Sequence, residues 1–370
     1  MRRAHFEDLA PVCPVCAMAR RTREASGAGL EIASALREEP GHLIEGIVRC
    51  SDPSCLSEFP VIEGIPYLVS GLRGLIARDV GQILARNDLS AEMESLLGDC
   101  CGPGSQFDTT RQQLSSYGWD HWADLDPVED RTGRGGEPGS VTRLLAEAVD
   151  RAGELPDGPV LDLGCSVGRV TFELAGRTGR KTLGVDLNTA MLRMAAGVLR
   201  HGQVRYPRRK TGLVYDAREF EVDLPGADRT DFWACDAVAL PVAAASFAAI
   251  VGLNFLDSAQ SPVDALTSIF RVLMPGGKAL LACPYDWTPG ATPVEGWIGG
   301  HSQRGEHRGS PEQILRALLT PGAHPASIDG ARILADEESL PWRVRMHDRS
   351  TIEYRTHLII AEKLADVDSD

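Results

Sequence analysis

From Ser140 onward, apolar residues fall into two alternating rhythms. Val141, Leu144, Leu145, Ala148 and Val149 recur at i, i+3, i+4, i+7 and i+8. That is one stripe of an amphipathic helix, with Ser140 as its capping residue. Short apolar runs then follow: PVLDLG, TLGVDL, DFWACDA, FAAIVGLNF and ALLACPY. Each is short enough for a buried strand, and helical patterns separate them. Ser261-Pro262 and Ser310-Pro311 each set a capping hydroxyl before a proline at the first helical position, and Gln313 completes a capping box. Strands alternating with helices predict βαβ units and a mostly parallel sheet. The final run, EYRTHLIIAEKL, has a strand-like centre with no helix after it. Residues 202–224 read as an inserted hairpin turning at Lys210-Thr211-Gly212.

Upstream, the rhythm changes. Residues 1–72 hold four of the nine cysteines and end in a strand-like run, EFPVIEGIPYLV. Residues 73–137 combine helical patterns (GLIARDVGQILA, AEMESLL) with two loop-rich stretches, GDCCGPGSQ and TGRGGEPGS. The expected organisation is a small domain over 1–72, a helical connector over 73–137 and an α/β domain over 138–370.

Charge narrows the field. In 370 residues, 38 Lys and Arg face 52 Asp and Glu, giving −14. A protein that grips nucleic acid over its whole surface needs clustered cations, so that class is disfavoured. Residues 1–70 hold 7 Arg against 10 acidic residues and form no basic arm. The apolar stretch Ala237–Leu256 is broken by Pro241, Ser246, Gly252 and Asn254, which reads as two buried segments joined by a turn, with no membrane span. The N-terminus lacks the apolar core of a secretory leader, so a cytoplasmic setting with reduced cysteines is expected.

Cys13-Pro-Val-Cys16 and, later, Cys50-x4-Cys55 form two close pairs. A C-x2-C turn directs two thiolates to one side of a knuckle, and a second pair completes a tetrahedron. These four are the expected ligands of a structural Zn2+, against the plainer reading of four ordinary reduced cysteines. Zinc would supply folding energy that about 70 residues cannot draw from a core alone. Cys100-Cys101 is expected in a loop, and Cys165, Cys235 and Cys283 in or beside strands.

The sharpest signal is VLDLGCSVGR. A strand runs into Asp162, then Gly164, the small pair Cys165-Ser166, and Gly168 as a helix opens. Glycines there let a ligand approach the backbone, and free N–H groups at a helix start favour a negative group. Asp186 ends the next strand, where a carboxylate accepts both hydroxyls of a ribose. Asp236 follows the third run, placed to accept from a purine amine. Three readings compete. A nicotinamide enzyme wants G-x-G-x-x-G, but Ser166 stands at the second glycine. A hydrolase elbow, G-x-S-x-G, wants an oxyanion loop that is missing upstream.

The third reading accommodates all three acids: these residues resemble motifs I, II and III of the class I S-adenosylmethionine (SAM) methyltransferases, with a PGG turn (Pro275, Gly276, Gly277) before a later strand. The resemblance implies a Rossmann-like sheet, mostly parallel with the last strand antiparallel. It also implies a SAM site built from Asp162, Gly164, Cys165, Ser166, Gly168, Asp186, Leu187, Asp236, Ala237 and Asn254. The stretch Cys13–Val69, above all FPVIEGIPYL, resembles the zinc ribbon of methyltransferase activator subunits and of certain rRNA guanine methyltransferases.

The acceptor is sought in Asn254-Phe255-Leu256-Asp257, in the hairpin, and in PYDWTPGATPVEGWIGG (284–300). All three resemble the mercaptohistidine N-methyltransferases of ovothiol biosynthesis, with Cys283 where a serine is common. The resemblance implies a small-molecule imidazole or amino-acid acceptor. Tyr285, Trp287 and Trp297 are the expected aromatic walls. Asn254 and Asp257 are expected to orient the acceptor or hold its amine, and His301 or Tyr285 to take a proton. Two other readings stay open: an RNA methyltransferase using the ribbon and the basic run Arg205, Arg208, Arg209, Lys210, and a non-catalytic SAM-binding scaffold whose ribbon docks a protein partner.

Overall fold

A computed structural model describes residues 1–19, 28–78, 80–86, 88–129 and 136–365. The chain divides into two compact units, Met1–Gln112 with Arg209–Ala217, and Gln113–Arg208 with Arg218–Asp370. In the first, α1 (Arg3–Leu9) and α2 (Pro14–Ala19) precede four strands paired in chain order: β1 (Leu30–Glu39), β2 (His42–Cys50), β3 (Glu58–Ile62) and β4 (Ile65–Pro66). The run EFPVIEGIPYLV, expected as one strand, is a hairpin. Glu63 and Gly64 take φ of 53° and 75°, a tight two-residue turn that returns Ile65 against Ile62.

Three further helices follow: α3 (Leu72–Arg78), α4 (Val80–Leu84) and α5 (Ala91–Cys101). They bring Ile76, Ile83, Met93 and Leu97 into the core that already holds Leu43, Val48, Phe59 and Val61. Part of the expected connector therefore shares the ribbon's core. Ser90 caps α5 by accepting from Met93 N at 3.2 Å. Cys100 and Cys101, expected in a loop, form its last turn, because only Gly102 (φ 80°) ends the helix. Helix α6 spans Gln106–Trp122. The loop expected over 132–140 has its first four residues outside the described residues.

The chain continues with α7 (Ser140–Ala152), β5 (Val160–Leu163), α8 (Arg169–Thr178), β6 (Thr182–Asp186), α9 (Thr189–His201), β7 (Gln203–Thr211), β8 (Val214–Glu221), β9 (Thr230–Ala234), β10 (Phe247–Leu253), α10 (Pro262–Val272), β11 (Leu273–Cys283), α11 (Pro311–Leu318), β12 (Ala331–His347) and β13 (Ser350–Lys363). Strands β7 and β8 pair as the expected hairpin. The remaining seven form one sheet, ordered β12-β13-β11-β10-β5-β6-β9. Neighbours from β11 to β9 are parallel, and β13 runs antiparallel to β11, as expected of the last strand.

Both faces of this sheet are covered. Leu161, Ile250, Leu281 and Ile359 point to one apolar cluster, and their neighbours Val160, Val251, Leu280 and Ile360 to another. The period-2 geometry of a strand divides each apolar run between two helical layers, so central strands read as continuous apolar runs.

Three local expectations are corrected. Ser140 does not cap α7 but opens it. Gly139 is the capping residue, and the buried Asp120 supplies the acceptor, taking Val141 N at 3.3 Å. The PGG turn lies inside β11, where register slips between Leu273 and Lys278, so it is a bulge. Strand β12 was not foreseen. Its residues alternate in exposure and include Pro341, which an edge strand tolerates. Ser261 and Ser310 do cap α10 and α11. Among the described residues no helix is long and apolar enough to cross a membrane.

Candidate active site

Strand β5 ends in a turn with three positive φ angles: Gly164 at 75°, Ser166 at 52° and Gly168 at 89°. The glycines answer packing demands. A Cβ on Gly164 would lie 2.8 Å from Phe255 Cβ, and one on Gly168 2.7 Å from Ala195 Cβ. Four of the turn's N–H groups are already bonded. Gly164 N and Cys165 N donate to Val185 O at 2.9 and 3.0 Å. Gly168 N donates to Cys165 O, and Ser166 N to Asp186 Oδ2 at 2.8 Å. The turn is thus bonded to β6.

That bonding aims the acids. Asp186 also accepts from Asn188 N at 2.8 Å, and burial raises its pKa despite both bonds. Asp162 is buried below the turn, accepts from Thr171 Oγ1 at 2.6 Å, and is pushed up to about 7 by desolvation. Asp236 accepts from Val238 N at 3.1 Å, which caps a short 3₁₀ turn beginning at Ala237.

A cavity of about 550 Å³ opens over these strand ends. Of the residues expected to hold cofactor, all but Gly168 line it: Asp162, Gly164, Cys165 and Ser166 on one segment, Asp186 and Leu187 on the next, then Asp236, Ala237 and Asn254. Asn254 sits at φ 57° with both side-chain amide atoms buried and without a partner. A buried amide left unpaired costs about 1–3 kcal/mol, so the arrangement calls for a ligand there.

Of the expected acceptor residues, Asn254 and Asp257 line the cavity; Tyr285, Trp287 and Trp297 do not. Trp287 and Trp297 stack on each other at 5.8 Å, and Trp297 Nε1 donates to Thr292 O at 2.8 Å. Tyr285 bonds His357 Nδ1 through its hydroxyl at 2.7 Å, and burial raises its pKa far above the usual range. These rings brace the loop from behind. His301 is exposed, with Nδ1 beside Gly299 O. Neither is placed to take a proton from a ligand in the cavity.

Other segments supply the aromatic wall. Gln113, Tyr117 and His121, spaced by four along α6, present one helix face to the cavity. Trp342 and Tyr354, opposite each other in the β12–β13 pair, stack at 4.9 Å. Trp122 Nε1 donates to Val167 O at 3.1 Å and ties α6 to the glycine turn. Trp342 Nε1 donates to the buried Asp120 at 2.7 Å. Asp257 Oδ2 accepts from Asp286 N at 2.8 Å, and Asp286 Oδ2 accepts from Tyr354 at 3.0 Å. Desolvation pushes Asp257 up to about 6 and Tyr117 to about 12. His121 is driven down to about 3 by burial, with Arg169 beside it, and is neutral near pH 7.

Residues 161–281 match the family model described as a methyltransferase domain. The chain carries a SAM-dependent methyltransferase domain. The protein is an enzyme of that kind, and the orphaned amide of Asn254 with the three strand-end acids fits the cofactor. Curated proteins give no match. Among solved structures, a SAM-dependent methyltransferase from Methanosarcina mazei is 22% identical over 57% of this chain and 94% of that one, with a TM-score of 0.37. One from Aquifex aeolicus is 13% identical over 60% and 89%, at 0.34. A chain from the complex of the Haloferax volcanii Trm112 methyltransferase activator with a methyltransferase is 17% identical over 61% and 89%, at 0.35. Likenesses at that level say nothing of what this methyltransferase acts on.

In the first unit, Cys13, Cys16, Cys50 and Cys55 converge. Their Sγ atoms all lie within 4.8 Å of one another, with Cys13–Cys55 at 3.8 Å and Cys16–Cys50 at 3.7 Å. Four sulfurs about 2.3 Å from a tetrahedral ion stand about 3.8 Å apart, so the set suits a metal ion. The longer spacing of the second pair is taken up by a local turn. Asp52 Oδ1 accepts from Ser54 N at 2.9 Å, and Asp52 O from Cys55 N at 3.0 Å.

Proposed function

We propose that this methyltransferase alkylates a ring nitrogen of a small imidazole-bearing amino acid or amine, a mercaptohistidine-like acceptor. One observation carries the reading: among the described residues the cavity wall holds five aspartates (Asp162, Asp186, Asp236, Asp257, Asp286) and no lysine or arginine. Such a wall repels a phosphate-bearing acceptor and attracts a cationic or neutral one. When bound, SAM supplies an electrophilic methyl: the acceptor nitrogen's lone pair forms the N–C bond as the S–C bond breaks, the pair stays on sulfur, and a nitrogen-bound proton leaves. A neutral imidazole already carries that lone pair, so the chain's task is alignment and exclusion of water. If a proton must be taken, Asp257, raised by burial to about 6, is the carboxylate on the acceptor side that would take it.

The RNA reading rests on the ribbon and on the basic run, and every member of that run is engaged. Arg208 pairs with Glu129 at 2.9 Å and Lys210 with Asp216 at 3.2 Å. Arg205 faces Glu219 at 3.9 Å, and Arg209 Nη1 donates to Gln112 Oε1 at 2.9 Å. The test is transfer of labelled methyl from SAM into two pools, imidazole-rich small metabolites and deproteinised RNA. Label is expected in the first pool; label confined to RNA overturns the proposal. We also infer that the four thiolates hold zinc as a closed structural site, with every tetrahedral position filled by protein. Elemental analysis of purified protein is expected to find one zinc per chain, and its absence refutes the assignment.

A further inference from the structure

Four of the cavity's side chains form a connected patch that the methyltransferase motifs do not explain. Asp257 receives Asp286 N, Asp286 receives the Tyr354 hydroxyl, and Tyr354 stacks on Trp342. The patch thus joins two carboxylates to an aromatic pair. Tyr117 lines the same cavity from α6. Trp342 is held from behind by Asp120, so the ring is fixed before any ligand arrives. Acidic side chains alone would define no site. A separate observation points to a ligand: His121 lines the cavity, is only 4% exposed, and leaves Nδ1 without a partner. With the bare amide of Asn254, two buried polar groups of this cavity await hydrogen bonds that the protein does not supply.

We propose that Asp257, Asp286, Tyr354 and Trp342 form an acceptor subsite selective for molecules that carry an ammonium group beside the ring to be methylated. The ammonium takes the two carboxylates, and the aromatic pair covers its CH groups and the acceptor ring. A cation beside paired aromatic faces gains from the ring quadrupoles as well as from the carboxylates. A carboxylate-bearing analogue meets like charge in the same place. Asp286 and Tyr354 are the specificity-determining members, because Asp286 is exposed and its hydroxyl partner fixes its direction. The assignment rests on the small imidazole acceptor proposed above.

The test compares labelled methyl transfer to histamine, histidine, 4-methylimidazole and imidazole-4-acetate at fixed SAM. Histamine and histidine are expected to show KM values about tenfold or more below those of the two compounds without an ammonium. In Asp286→Asn and Tyr354→Phe that preference shrinks to about threefold or less, while the Kd for SAM stays within about twofold. Equal use of all four compounds overturns the subsite and leaves the imidazole reading standing. Transfer to none of the four overturns that reading and the subsite with it. A tenfold preference that survives both substitutions refutes the roles of Asp286 and Tyr354. Unchanged SAM affinity in each variant reports that the fold persists.

Discussion

The two walls of the cavity are built in opposite ways. The wall proposed for the cofactor comes from adjacent parallel strands: Asp162 is the next-to-last residue of β5, Asp186 the last of β6, and Asn254 and Asp236 lie one and two residues past β10 and β9. Backbone amides hold it, as where Ser166 N and Asn188 N grip Asp186. The wall proposed for the acceptor is assembled from α6, the loop after β11 and the β12–β13 pair, with α6 and β12 more than 200 residues apart in sequence. Side chains hold it, as where Trp342 meets Asp120 and Tyr354 meets Asp286. A wall held by backbone bonds within one βα turn is a local property of sequence. A wall held by side chains from remote elements can change its ligand while the first stays as it is.

That contrast can be broken. The largest effect is expected from Asp186→Ala, which should lower SAM affinity about a hundredfold or more while circular dichroism is unchanged. Retained SAM binding by calorimetry would refute the cofactor wall. Trp342→Ala should act on the other side, raising acceptor KM about tenfold and costing about 3 kcal/mol in urea unfolding, with SAM affinity intact. An equal loss of both affinities would show that the walls are not separable.

Acidity should sharpen the picture next. Burial raises Asp257 to about 6, so its carboxylate, and with it the grip on a cationic acceptor, is lost as pH falls through 6. The acceptor kcat/KM should fall below that point more steeply than protonation of the acceptor imidazole alone requires, and Asp257→Asn should leave only the acceptor's own dependence. Stability should move the opposite way. Asp162 and Asp120, raised to about 7 and 6, bind more protons folded than unfolded. Their contribution is therefore full below about pH 4 and lost as pH rises through 6 to 7, by about 1–3 kcal/mol in denaturant titrations at pH 5 and 8. The smallest effect is expected at the hairpin tip. Lys210→Ala removes a half-exposed pair with Asp216 and should change stability by less than about 0.5 kcal/mol and activity not at all.

How much of this was legible in the chain differs by element. The strands β5, β6, β10 and β11 were readable because each is buried on both faces, which leaves an uninterrupted apolar run. β12 was not, since an edge strand exposed along one face spells an alternating, charged sequence with a proline inside. Asp186 announced itself through its place after a strand. Asp286 carried no such signal, because its partner in the structure is Tyr354, a residue that nothing in the loop specifies. The aromatics Tyr285, Trp287 and Trp297 drew attention by number and spacing, yet they serve the loop's interior packing.

By itself, then, the sequence determined what depends on neighbours in the chain. These are the parallel order of two-faced strands, the glycine turn and its acids, the capped helices, and two cysteine pairs at knuckle spacing. The tertiary structure alone decided which aromatic rings face the cavity, which amides of the glycine turn are already bonded, and which carboxylates meet without a cation beside them. The physical reason is range. Backbone geometry and strand periodicity act over a few residues and leave a pattern. Side-chain contacts such as Asp120 with Trp342 form only after remote segments have packed, and neither residue alone foretells the other.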